Sequence, residues 1–407
     1  MRIVIAGYGP AAIKALEAIS AYREIVNVGE LGIVVISAEE TRAYSPMFLG
    51  DYLTGRLDEK SLLLQEEYNL PVERILGRRL VSVKCNENKV VLEGGSEVIY
   101  DKLLIATGAS PVIPQIRGIS KQGVYFLNRL DEAKKLAKEI VNAECVLIIG
   151  GGAIGIEMAN SLCDLGKRVE VLELLDHILP QILEADISKW MERKLSKKGI
   201  KFSLGESVSE ITGGGRAAGL VIDGREIKGD IILVTSGVKP NINFLRDGEI
   251  ETSRGIIVNE MMQTNVPNVY AAGDVAESKN LYGEYELVPT WYSAIEQGMI
   301  AGCNLLGIEK AFKFCPILVS LKGMNFPVVS IGRKNCLVQH DVWSHTNEKA
   351  GIFEKFFVKD DHIDCYQAVG ISNIVGLMYN FIKERKTINN LSELLLSDGL
   401  DIVKFTA

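Results

Sequence analysis

RIVIAGYGPAAIKALEAIS, residues 2–20, decides how the rest of this chain is read. A short apolar strand, Ile3 to Ala6, runs into Gly7-Tyr8-Gly9-Pro10-Ala11-Ala12 and then into a helix. Its apolar positions Ala12, Ile13, Leu16 and Ile19 fall at helical spacing. Gly7 can take the tight turn, Gly9 lets backbone approach a phosphate without a Cβ in the way, and Pro10 has the φ of a first helical residue. The helix start then offers unpaired N–H groups and about half a positive charge to a diphosphate. Gly7, Gly9, Pro10, Ala11 and Ala12 are therefore candidate diphosphate contacts. Ala12 stands where the fingerprint's third glycine would, which sets helix and strand slightly further apart. A single glycine turn of this kind also arises by chance.

A chain of 407 residues is too long for one ordinary core, so two or three domains are expected. At 47% hydrophobic and 24% charged it has the composition of a soluble globular protein. A net charge of −7 and the lack of any Lys/Arg run argue against nucleic acid as the main partner. The seven cysteines (Cys85, Cys145, Cys163, Cys303, Cys315, Cys336 and Cys365) form no CxxC pair. That pattern offers no zinc or iron–sulfur cradle, so no metal site is expected, and it fits free thiols in a reducing cytosol. A strand starting at residue 2 leaves no room for a signal peptide. No apolar run reaches the ~18 residues needed to cross a bilayer. The expectation is a cytoplasmic protein with no membrane partner.

A second strand follows at Gly32 to Ile36, then Ser37-Ala38-Glu39-Glu40. An acid after the second strand is where a dinucleotide fold places its acceptor for ribose hydroxyls, so Glu39 is a candidate. It reads equally as a solvated loop acid, because Ser37 occupies the more usual spot. Residues 43–49, AYSPMFL, are apolar but follow neither period, as a segment covering something flat and apolar would. Residues 80–100 read as short strands with turns at 86–88 and 94–95. They lead to a buried parallel strand that ends in Ala106-Thr107-Gly108-Ala109.

YDKLLIATGASPVIP, residues 100–114, resembles the ATG segment of the FAD-dependent pyridine nucleotide-disulfide oxidoreductase superfamily. The resemblance implies that Ala106, Thr107 and Gly108 close over the flavin nucleotide. It also implies that a second nucleotide domain is inserted next. CVLIIGGGAIGIE, residues 145–157, meets that requirement: a strand, then Gly150, Gly152 and Gly155 in full GxGxxG spacing, then a helix. Ile154 belongs to the same turn and is grouped with Met158 and Leu162 on one helix face. The next strand ends at Glu173, whose carboxylate can bind both ribose hydroxyls and would repel a 2′-phosphate, which favours NADH over NADPH. Segment 230–241, including Gly237, is similar to the one that closes the family's NAD domain. Pro114 and Pro240 are the expected hinges.

TNVPNVYAAGD, residues 264–274, resembles the family's second FAD fingerprint, in which Gly273 leaves space and Asp274 meets a ribityl hydroxyl. Taken alone it is also an ordinary Gly-Asp turn. PTWYSA, residues 289–294, is similar to the start of the helix that faces the flavin pyrimidine. Trp291 there is either a flavin-side aromatic or a core residue. Residues from Phe312 onward resemble the small C-terminal domain of NADH:rubredoxin and ferredoxin-type reductases and of the flavin module of assimilatory nitrite reductases. They read as strands around an Asp-Asp turn, then a helix at Ile374 to Lys383. In those relatives residues at the positions of Glu157 and Lys322 lie beside the flavin; either could also be a plain surface charge.

The expected architecture is α/β, with two Rossmann-like dinucleotide-binding domains in a glutathione-reductase-like arrangement and a small α+β C-terminal domain. The resemblance places an FAD domain at 1–113 and 241–311, an NAD domain at 114–240 and the C-terminal domain at 312–407. Where relatives carry a redox cysteine, this chain has Met47, and a thioether forms neither thiolate nor sulfenic acid. Electrons must then leave the flavin directly, and no catalytic side chain is named. The first reading is an FAD enzyme moving electrons between NADH and an iron–sulfur protein such as a rubredoxin, a ferredoxin or a partner subunit. The alternatives are an NADH oxidase or diaphorase-like reductase of a small acceptor, or a flavin-bearing sensor subunit without turnover.

Overall fold

The computed structural model describes residues 1–26, 29–245, 248–280, 282–313, 316–321, 323–332, 340–370 and 373–387. The chain divides into two compact units. The first is Met1–Phe48, Asp58–Ser110 and Val238–Cys315; the second is Leu49–Leu57, Pro111–Gly237 and Pro316–Ala407.

The first unit is built on a five-stranded sheet in the order Val269–Ala271, Lys102–Ile105, Arg2–Ala6, Gly32–Ile36, Val72–Ile75. Every neighbouring pair is parallel, with Val4 between Val34 and Leu103. Such strands are covered on both faces, which is why they read as unbroken Val/Ile/Leu runs rather than alternating ones. The first helix, Pro10–Val26, buries Ala12, Ile13, Leu16 and Ile19, as their spacing predicts. It lies against the helix Trp291–Leu305 at unusually close range. A Cβ added to Gly298 would sit 2.2 Å from the Ala11 carbonyl oxygen, and one added to Gly302 2.6 Å from that of Ala15. Both contacts advance by one helical turn in the same sense, so the two helices run parallel and start at the same end.

The strands read at 80–100 form an antiparallel sheet, Leu80–Lys84, Lys89–Leu92 and Glu97–Ile99. Residues 43–49 hold more structure than their lack of period suggests: a 3-10 turn at Pro46–Phe48 and a helix that starts at Leu49 and ends at Leu53. Elements of this length are too short to display a 3.6-residue repeat.

The second unit repeats the theme with Lys201–Leu204, Arg168–Glu173, Cys145–Ile149, Ile231–Val234 and Val124–Phe126, again all parallel. The helix Ala153–Asp164 follows its central strand. Met158 and Leu162 are buried on it, but Ile154, grouped with them from the sequence, is 43% exposed. It lies in the first turn, beyond the end of the strand that covers the other two. The C-terminal part is an antiparallel sheet of Leu318–Ser320, Val328–Gly332, His362–Val369, Ile352–Lys359 and Asp341–Asn347. Asp360 and Asp361, both left-handed at φ 49° and 60°, make the turn between its two long strands. The helix Val375–Lys383 buries Met378, Phe381 and Ile382 on this sheet. One apolar cluster runs from Val146, Ile148 and Val171 to Leu321, Val328 and Val369, joining these two five-stranded sheets.

Candidate functional site

In the first unit the glycine turn is fixed from both sides of the sheet. The Gly7 N–H donates to the Ile36 carbonyl at 2.8 Å, and the Ala106 N–H donates to the Ala6 carbonyl at 2.7 Å. Gly7 has φ 123°, and a Cβ on it would lie 1.9 Å from the Ala106 oxygen, so only glycine fits. A Cβ on Gly9 would meet no protein atom within 4 Å: that face of the turn is open. Helix bonding starts with the Ile13 N–H to the Gly9 carbonyl at 3.1 Å, which leaves the Ala11 and Ala12 amides without an intrahelical acceptor.

Two further segments converge on this turn. The Gly273 N–H donates to Gln297 Oε1 at 2.8 Å, and a Cβ on Gly273 would lie 3.2 Å from that of Ala11. The end of the strand Val269–Ala271, the first helix and the Trp291 helix therefore meet at one point. Asp274 comes next, and its carboxylate has no hydrogen-bond or ion-pair partner among the described residues; burial pushes its pKa up to about 6. An acid held there without a protein donor leaves its oxygens available to water or to a ligand hydroxyl. The Thr290 hydroxyl caps the parallel helix by accepting from the Ser293 N–H at 3.3 Å, with Trp291 half-buried as the first helical residue. Thr107 and Asn241 clasp each other: the Thr107 hydroxyl donates to the Asn241 carbonyl at 3.0 Å, and Asn241 Nδ2 donates to the Thr107 carbonyl at 2.8 Å. The Asn241 N–H reaches the Gly108 carbonyl at 2.9 Å.

Glu39 accepts the Tyr44 hydroxyl at 2.9 Å while its own N–H donates to Ser37 Oγ at 3.1 Å, so its carboxylate is oriented rather than loose. The same unit holds a cluster that the sequence did not reveal. The Tyr8 hydroxyl donates to Glu66 Oε1 at 2.6 Å and accepts from Arg74 Nε at 2.8 Å. Glu66 also takes Arg74 Nη2 at 2.8 Å and the Tyr68 hydroxyl at 3.0 Å. Burial pulls the Glu66 carboxyl up, but hydrogen bonds from Tyr8 and Tyr68 and the charges of Arg74 and Arg42 outweigh it and hold it below the usual range.

The second unit repeats the glycine turn. The Gly150 N–H donates to the Leu172 carbonyl at 2.8 Å, as Gly7 does to Ile36. Added Cβ atoms would lie 2.5 Å from the Thr235 carbonyl oxygen at Gly150 and 2.0 Å from the Gly150 oxygen at Gly155; at Gly152 they would meet nothing. The Glu173 carboxylate stands at the strand end and accepts the Gly151 N–H at 2.7 Å and the Leu175 N–H at 3.0 Å. Gly237, at φ 96°, accepts the Val112 N–H at 2.9 Å. Glu157 is half-buried on the helix after this turn, and Lys322 lies outside the described residues. Each unit thus has an open glycine face at a helix start, which fits one dinucleotide diphosphate apiece.

The sequence profile of the pyridine nucleotide-disulphide oxidoreductase family matches residues 1–298. The chain belongs to that family. Like its members, it is an FAD-dependent NAD(H) oxidoreductase. It is 33% identical to an NADH oxidase of Methanocaldococcus jannaschii over 79% of this chain and 73% of that one. With an NADH-rubredoxin oxidoreductase of Clostridium acetobutylicum it shares 27% identity over 97% of each. It spans about half the length of two longer curated relatives. A ferredoxin reductase from Rhodopseudomonas palustris has the same fold at TM-score 0.89 and 25% identity, with 100% of both chains covered.

For a pyridine nucleotide-disulphide oxidoreductase, the described residues of this chain are poorly equipped for thiol chemistry. Met47 is 38% exposed in the 3-10 turn Pro46–Phe48, between the strands Gly32–Ile36 and Val72–Ile75. The described cysteines, Cys85, Cys145, Cys163, Cys303 and Cys365, are all free thiols. Burial pushes Cys85 up to about 11, with the Glu249 carboxylate adding to it, and burial also raises Cys145 and Cys303. A thiol with a raised pKa is a poor nucleophile at neutral pH. Among the described residues no cluster of His, Cys, Asp and Glu could hold a metal, and no helix is long and apolar enough to cross a membrane.

The site residues that sequence reading missed act through side-chain hydrogen bonds: Gln297 and Asn241 on the backbone of Gly273 and Thr107, and Tyr8 on the side chains of Glu66 and Arg74. Only Asn241 had any signal, as the polar residue after a chain-returning Pro.

Proposed function

We propose that the first unit binds FAD, that the glycine turn of the second unit binds NADH, and that the enzyme moves electrons between NADH and an iron–sulfur protein. A bound flavin would supply the conversion between two-electron hydride exchange with a nicotinamide and one-electron exchange with an iron–sulfur centre. The chain's residues supply binding and orientation. Gly7, Gly9, Pro10, Ala11 and Ala12 cradle one diphosphate, Asp274 accepts from the ribityl chain, and Glu39 from the adenosine ribose. Ala106, Thr107 and Gly108 cover the nucleotide, with Gly273 and Trp291 at the flavin end. Gly150, Gly152, Ile154, Gly155 and Gly237 serve the second nucleotide, and Glu173 receives its ribose hydroxyls. Glu157 and Lys322 are assigned to the flavin surroundings by resemblance. We divide the chain functionally into 1–113 with 241–311 for FAD, 114–240 for NADH, and 312–407 as the C-terminal domain. The free thiols support a reducing, cytoplasmic setting.

The observation that carries this reading is the pair of open glycine turns, combined with Met47 in place of a thiol. Full-length similarity to a rubredoxin-linked relative supports a one-electron acceptor protein. The similarity to an NADH oxidase supports the second reading, in which oxygen or another small molecule takes the electrons. Anaerobic mixing with NADH, then with rubredoxin, ferredoxin or oxygen, separates them. Bleaching by NADH followed by fast reoxidation by an iron–sulfur protein is the expected result. Reoxidation by oxygen alone makes the enzyme an oxidase, and no bleaching refutes both.

A further inference from the structure

We propose that Tyr8 is a positioning residue for the diphosphate turn, clamping Gly7-Tyr8-Gly9 to the edge strand Val72–Ile75 through Arg74 and Glu66. The inference rests on the reading that this turn receives FAD. Between two glycines the backbone is free to take many conformations, and Tyr8 carries the only side chain there. That side chain is 7% exposed, and its hydroxyl is used in both directions, toward Glu66 at 2.6 Å and from Arg74 at 2.8 Å.

The partners are held in turn. Arg74 Nη2 reaches Glu66 at 2.8 Å and the Tyr68 hydroxyl at 2.9 Å, Arg42 approaches Glu66 at 3.3 Å, and the Tyr8 and Tyr68 hydroxyls lie 3.4 Å apart. The Arg74 guanidinium also stands 5.9 Å from the Tyr8 ring centroid. The turn is thus tied to a strand two places away in the sheet, in addition to its backbone bond to Ile36. A turn already held in shape loses less freedom when a diphosphate arrives, so the clamp raises affinity without touching the ligand.

Tyr8→Phe removes one oxygen and keeps the ring. Apoprotein affinities are measured well below the melting temperature, where circular dichroism shows full folding. The expected result is FAD binding weaker by about ten-fold, the size of a lost charge-assisted bond. ADP, followed as a competitor of FAD so that only this turn is read, should weaken by the same factor. Glu66→Gln keeps an acceptor and should show a smaller loss, and the double variant should be no worse than Tyr8→Phe. If Tyr8→Phe does not fold, Glu66→Gln carries the test by the same two affinities. A lower melting temperature with unchanged FAD and ADP affinity overturns the proposal, as does a loss for FAD without one for ADP. Wild-type protein that does not bind FAD refutes the cofactor reading instead.

Discussion

Replacing Gly298 by alanine sets two opposed effects against each other in one helix. Alanine is favoured over glycine in a helix interior by about 1 kcal/mol, so propensity alone makes the variant more stable. The contact says the reverse. The new Cβ would lie 2.2 Å from the Ala11 carbonyl oxygen and 2.8 Å from the Ala11 Cα, all backbone atoms of the neighbouring helix. Relief requires the helices to part by roughly 1 Å, since carbon contacts settle near 3.5 Å. Overpacking of this kind costs about 1–3 kcal/mol, and Gly302 against Ala15 one turn further on resists the same movement, so the upper end applies. The net is a loss of about 2 kcal/mol, read as a fall of roughly 4–8 °C in melting temperature. Ala11 belongs to the first turn of the cradle and touches Gly273, so parting the helices also shifts the amides relative to Asp274. FAD affinity should fall about ten-fold. Thermal melts of the apoprotein, with FAD titration by flavin fluorescence, measure both. A G298A protein that melts at or above wild type with unchanged FAD affinity would refute the close-packing argument.

The Asp274 carboxyl is raised to about 6 in the apoprotein, so its contribution to stability is fully present below pH ~4 and lost as pH rises through about 6. Asp274→Asn apoprotein should accordingly resist urea better than wild type at pH 8, by up to roughly 3 kcal/mol, with the difference vanishing at pH 4; equal curves at pH 8 would contradict the burial. The Glu277 side chain is 2% exposed and accepts the Arg254 and Gly255 N–H groups at 3.0 Å as well as the Arg254 guanidinium, so Glu277→Ala should cost about 3 kcal/mol in denaturant melts. Glu173→Gln should raise the KM for NADH about ten-fold and narrow the gap to NADPH, and an unchanged ratio of the two would remove Glu173 from nucleotide choice. Anaerobic dithionite titration should consume about two electrons per FAD, because the sequence holds no CxxC or CxxxxC pair and has Met47 where relatives carry a redox cysteine; four would reveal a redox-active disulfide.

Both parallel sheets were legible because their central strands are unbroken apolar runs followed by glycine turns, a pattern few other folds produce. Gly7 and Gly150 were legible for the same reason, and the structure explains each by a backbone carbonyl where a side chain would go. Val124–Phe126 was not read: a three-residue strand has no period, and its place beside Ile231–Val234 is decided by a partner far along the chain. Asp341–Asn347 escaped notice because DVWSHTN is largely polar, as suits an exposed sheet edge. Ile154 was placed by helical spacing alone, which says which face a residue shares but not whether that face is covered at its height. The side-chain clasps of Asn241, Gln297 and Tyr8 join residues 24 to 134 positions apart, a separation at which one sequence carries no signal.

The reciprocal bonds of Thr107 and Asn241, with Ser110 Oγ donating to Asn241 Oδ1 at 2.7 Å, bring together the start and the end of the longer excursion the chain makes out of the first unit, Pro111–Gly237. An excursion of more than a hundred residues therefore begins and ends at neighbouring atoms. Such a junction behaves as a socket: the intervening stretch can be exchanged or cut out and its ends rejoined by a few residues, while the parallel sheet beneath keeps every one of its strands.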